Sequence, residues 1–201
     1  MPIAIDTTGF VQVGQDDWHD QATQDNIKLN VDDRPLTEPF WLEDLDSARR
    51  KLAHDYGEAG CLIEAEPISV GGVPAMHQLV KFPHPRLPRG LIFVSNVFVA
   101  KTTCTASVIY FAAEAGITGV REATLMAKFG MPKDWVQPHP YDPQVRSNLP
   151  YLRGDDPGWD AQFPDHPLSR ARAWVRRLTQ TATVDPAFAA LPTYRSNGSA
   201  Q

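Results

Sequence analysis

The 201-residue chain lacks the signatures of the common catalytic classes. It has no phosphate-cradling glycine loop, dinucleotide fingerprint, nucleophile elbow or spaced set of metal ligands. Its six histidines, His19, His54, His77, His84, His139 and His166, include no pair three or four residues apart, so no two share a helix face as ligands. The aspartates Asp155, Asp156, Asp160 and Asp165 lack the calcium-loop order and read as turns, caps and solvated charge. We expect no metal and no other cofactor. Cysteine is scarce: Cys61 and Cys104 each sit in or beside an apolar run, outside any CxxC, and read as reduced, buried thiols. Basic charge is not in excess either. A formal charge of −5 excludes the general positive field that nucleic-acid binding needs. No apolar run approaches the ~20 residues of a membrane span. Met1–Gly14 has no basic stretch leading into an apolar core, so it does not read as a signal peptide, and a cytoplasmic protein is expected.

What is present is β-rich. Ile27, Leu29 and Val31 alternate on one face of a strand, with shorter candidates at Phe10–Val13 and Ile3–Ile5 and a loop at Asp16–Trp18. Leu42–Tyr56 reads as a helix with acids early and bases late, as the helix dipole prefers. Four apolar runs follow. Cys61–Val70 and Val73–Phe82 are joined by Gly71-Gly72, which supply the positive φ of a tight hairpin. Pro67 marks the first of them as an edge or a bulge. Leu91–Ala100 is apolar on both faces and reads as a central strand covered on both sides, with Val94 and Phe98 inside. Thr103–Ala113 returns beside it. A helix capped by Thr118 runs to Phe129. Met131–Pro164 holds seven prolines but also Trp135, Tyr141, Tyr151, Trp159 and Phe163, which suits a long loop laid over the body. Asp165 caps a last helix over Pro167–Gln180. Strands grouped between helices predict an α+β fold, an antiparallel sheet flanked by helices. It would form one domain over residues 1–185, with 131–180 as an extension packed on it and 192–201 as a flexible tail.

The order of short strands, Ile27–Val31, the Leu42–Tyr56 helix and the turn Val70-Gly71-Gly72-Val73-Pro74-Ala75 between long strands resembles the PsbP-like fold, in its DcrB-type bacterial branch, over residues 10–129. That resemblance implies a non-enzymatic role in binding another protein, as an adaptor or chaperone that could serve secretion.

Two basic elements suit such a role. The loop Pro83–Gly90 is stiffened by proline and carries Arg86 and Arg89, which can grip carboxylates. The last helix carries Arg170, Arg172, Arg176 and Arg177; Arg172 and Arg176 are the chosen contacts there, with wet arginines on a docked helix as the alternative. The expectation is therefore a non-catalytic protein with a protein partner. A small-molecule enzyme built on residues 131–166 and an immunity-like inhibitor are the other readings.

Overall fold

Seven strands make one antiparallel sheet in the order β2-β3-β4-β8-β7-β6-β5. They are β2 (Val11–Gln12), β3 (Asp17–His19), β4 (Asn26–Asp32), β5 (Cys61–Val70), β6 (Val73–Pro83), β7 (Leu91–Ala100) and β8 (Thr105–Ala113). A second, two-stranded sheet pairs β1 (Ile3–Ala4) with β9 (Thr183–Val184). The helices are α1 (Leu45–Gly57), α2 (Val120–Phe129), α3 (Pro167–Thr181) and the short α4 (Pro186–Ala189). This is a computed structural model, and it describes residues 1–37, 42–130 and 132–196. The α+β class with an antiparallel sheet and flanking helices is thus the observed one.

The long hairpins follow from local chemistry. Gly71 and Gly72 adopt φ of +54° and +81°, so Val70 pairs with Val73 across a two-residue turn. A side chain at Gly71 would also meet the Val184 backbone nitrogen at 2.9 Å, where the β1–β9 ribbon passes. Pro67 lies on β5, which is the sheet edge as its missing N–H requires. The register of β5 shifts between Leu62 and Glu64. That bulge lets Leu62 and Ala65, three residues apart, both pack with Leu52 and Ala53 of α1. It also turns Glu64 and Glu66 to the opposite face.

That opposite face holds the main core. Ile27, Leu29, Leu79, Phe93, Val97, Val108 and Tyr110 pack against Leu168, Ala171, Trp174, Val175 and Leu178 of α3. Tyr110 stacks on Trp174 at 4.9 Å. On the other face α1 covers only the β5–β6 end. Consequently β7 is central in order but not equally covered. Phe93, Ser95, Val97 and Val99 are fully buried, whereas Ile92, Val94, Asn96 and Phe98 are half-buried. The expectation that Val94 and Phe98 lie inside is corrected, because among the described residues no second helix spans that half of the sheet.

Other differences are local. Asp17–His19 is a strand, since Trp18 pairs with Ile27 and buries its ring. Helix α1 starts at Leu45, where the Asp44 side chain accepts the Ser47 N–H. Helix α2 starts after Gly119 in left-handed conformation, not at a Thr118 cap. Helix α3 is capped by His166, not Asp165. Residues 192–196 dock: Pro192 accepts the Thr102 N–H, Tyr194 donates to Ala100, and Ser196 is buried. The rest of the expected tail, 197–201, lies outside the described residues.

The late segment lies on the body. Gln137 and Arg153 donate backbone bonds to Tyr151 and Trp135 respectively, closing an internal loop. From there Tyr141 reaches β5, where its hydroxyl accepts the Ala65 N–H at 2.8 Å, and Arg49 Nε donates to the Ala65 carbonyl at 2.9 Å.

Candidate functional site

Between β5–β6 and the C-terminal half of α3 lies a cleft of about 550 Å³. Ile63, His77 and Val175 give its apolar and aromatic floor. Glu64 and Glu66 come from the bulged edge strand, Pro140, Tyr141, Tyr151 and Pro157 from the late segment, and Arg172 and Arg176 from α3. A bulge, a proline-rich loop and one helix face thus converge on it.

Most of its polar groups are already engaged. Arg172 bonds Glu64 through Nε, the Asp160 carboxylate through Nη1 at 3.0 Å and the Asp155 carbonyl through Nη2. Asp160 also accepts from Nη1 of Arg121 at 3.0 Å, so one carboxylate serves two guanidinium groups. Arg121 is completely buried and donates besides to Gly154 and Asp156 carbonyls and to Ser169. Behind them Lys81 Nζ meets Asp155 Oδ2 at 2.6 Å, both groups buried. Glu66 accepts from Arg49 and from the Tyr141 hydroxyl.

The acid–base side chains are buried or half-buried and held in their neutral forms for related reasons. His77 Nε2 lies 3.3 Å from Ser95 Oγ, but Ser95 has no exposure through which to meet a substrate. Burial, reinforced by the Arg172 charge, lowers the His77 pKa to about 4, so its ring is neutral at pH 7. Burial raises Tyr141 and Tyr151 to about 12 and Cys61 to about 11. No activated nucleophile lines the cleft among the described residues.

The four expected contact residues separate. Arg86 and Arg89 are exposed on the β6–β7 connection and Arg176 is exposed at the cleft; none of the three makes an ion pair among the described residues. Arg172 is 5% exposed and wholly engaged, so it is neither the free partner contact expected of it nor the wet arginine of the alternative reading. Its position on α3 faces the sheet, where Asp160 and Glu64 can meet it. Arg86 and Arg89 lie on the hairpin beyond Pro83; Arg172 and Arg176 line the cleft. The reading of the late aspartates as solvated turns is corrected too: Asp155 and Asp160 are counter-ions to buried cations, while Asp156 does cap a turn, accepting the Gly158 N–H.

Sequence reasoning missed Glu64, Glu66, His77, Tyr141 and Tyr151 as neighbours. Two glutamates on an otherwise apolar edge strand were the available signal. It also missed a cluster elsewhere: Glu114, Glu122 and His166 bring their ligand atoms within 4.8 Å of one another.

No protein-family model matches the sequence, and no curated protein matches it. Two solved structures, the Saccharomyces cerevisiae Ran-binding protein Mog1p and a mutant of Mog1, each align over 94% of this chain and 94% of their own, with 10% identity and a TM-score of 0.47.

Proposed function

We propose that the chain is a non-catalytic binding protein whose partner is a protein presenting an acidic segment. One observation carries this reading. The buried cations are all engaged, Lys81, Arg121 and Arg172 by carboxylates and Lys101 by the Ala189 and Leu191 carbonyls, whereas the exposed Arg86, Arg89 and Arg176 have no ion-pair partner among the described residues. In an acidic protein, unpaired surface arginines can steer and orient an acidic partner.

The loop is ordered in advance. His84 Nδ1 accepts the N–H groups of Arg86 and Leu87, each at 3.0 Å, and Gly90 closes the turn onto Leu87 and His84. Arg89 holds φ of +68°, a conformation glycine would adopt at less cost. Arginine rather than glycine at this strained position supports a role for its side chain. The most concrete form of the proposal is a secretion-associated adaptor or chaperone, in keeping with the PsbP-like resemblance we propose for residues 10–129. An immunity-like inhibitor would use the same surface.

A second reading, a small-molecule enzyme, has one observation in its favour: the late segment supplies Tyr141 and Tyr151 to the cleft. Affinity capture followed by quantitative binding separates the two. Arg86→Ala with Arg89→Ala should weaken binding of the captured partner severalfold, most strongly at low salt, with an unchanged melting curve. Undiminished binding at low salt, in this variant and in Arg176→Ala, would sink the arginine reading. A co-purified metabolite turned over by the pure chain would favour the enzyme.

A further inference from the structure

We infer that Glu114, Glu122 and His166 form a binding site for a divalent transition-metal ion, with zinc the best match to a nitrogen and two carboxylates. Three elements deliver the ligands. Glu114 follows β8, Glu122 stands in the first turn of α2, and His166 caps α3. The pairing is invisible to spacing rules because each ligand arrives from a different element.

Two independent observations point into the cluster. His166 Nε2 and Glu122 Oε2 are buried atoms with no hydrogen-bond partner. The His166 side chain is only 8% exposed and its Nε2 lies 4.0 Å from Glu114 Oε1. Two carboxylates this close, away from water, repel each other unless a proton or a cation lies between them. The distances suit a cation. In a tetrahedral zinc site, bonds of about 2.0–2.2 Å set the ligand atoms about 3.3–3.6 Å apart. His166 and Glu114, at 4.0 Å, must close by about half an ångström, and Glu122, within 4.8 Å of both, by at most about 1.5 Å, which side-chain rotation can supply.

Glu114 is held for the task. Its Oε1 accepts the Gly119 N–H at 2.7 Å and its Oε2 the Leu91 N–H at 2.9 Å, each leaving a lone pair. His166 must change more. Its Nδ1 accepts the Leu168 N–H at 3.2 Å, which places the ring proton on Nε2 in the metal-free chain. Loading moves that proton to Nδ1 and gives up this long cap bond, so binding switches the tautomer. Glu114 and His166 also line a cavity of about 560 Å³, toward which further coordination positions would open.

The site is independent of the arginine surface. The full chain, stripped by chelator, is titrated with zinc alone by calorimetry and native mass spectrometry. One zinc per chain is expected, with a raised melting temperature. Glu122→Gln should weaken binding at least tenfold. His166→Asn keeps a cap acceptor but has no Nε2, so it should fold and lose the ion. Nitrogen-15 spectra of the ring should show the proton on Nε2 without zinc and on Nδ1 with it. Absence of stoichiometric binding, binding unaltered in both variants, or an unmoved tautomer would overturn the assignment.

Discussion

At the scale of single residues, the interior is more ionic than its composition suggests. Lys81 and Asp155 are 1% and 2% exposed and hold each other in the core beneath α3. Such a pair need not add net stability, but breaking it leaves a charge stranded. Lys81→Met alone should therefore destabilise by about 3–5 kcal/mol. Adding Asp155→Asn should recover part of the loss, since the amide can still accept the Leu152 N–H that Asp155 now accepts at 2.7 Å. Urea denaturation of both variants checks this; equal loss in the single and double variants would contradict it. His77 gives a pH dependence of definite sign. Burial lowers its pKa from 6.5 to about 4. Between those values the unfolded chain holds a proton that the native chain refuses. Its contribution is thus complete above pH 6.5 and disappears as pH falls toward 4, about 1.4 kcal/mol per unit and roughly 3 kcal/mol in all. In His77→Gln the stability difference between pH 7 and pH 5 should shrink; an identical difference would remove His77 as its source.

At the scale of elements, what was legible depended on the range of the determining interaction. Strand β5, the Gly71-Gly72 turn and strand β7 were readable to the residue because alternation and turn chemistry are local. Strand β3 was not, because Asp16-Asp17-Trp18 looks like a loop until Ile27 pairs with Trp18. The arginine loop was legible for the same local reason. The cleft was not, since Tyr141 and Arg172 are 31 positions apart and meet only through the late segment's docking. Nor did sequence show which face of β7 would be covered. Alternation marks two faces, while coverage depends on where a distant helix lies. Phe93→Ala should accordingly cost about 3–5 kcal/mol, the usual effect of removing a buried aromatic ring. Phe98→Ala should cost clearly less, because that ring is half-buried. Denaturation midpoints decide it, and equal losses would mean both faces are packed alike.

At the scale of the whole molecule, the fold closes the far end of its own sheet with side chains. The β2 edge is two residues long, whereas β5 runs for ten. A long free edge is a template on which another chain can add a strand. Halfway along β5, however, Ala65 has no backbone group to offer: Tyr141 holds its N–H and Arg49 holds its carbonyl. Two residues on, Pro67 has no N–H to give. Tyr141→Phe combined with Arg49→Ala would return both Ala65 groups to solvent without touching the main core. The variant should then acquire concentration-dependent self-association beyond that of the parent chain, read by light scattering behind size exclusion, while its circular dichroism stays native. An unchanged mass at high concentration would show that proline alone suffices. Tyr141, which lines the cleft, and Arg49, which bonds the lining Glu66, would then be guards against polymerisation, so partner-binding variants at this wall should be screened for aggregation before any loss of binding is read as lost contact.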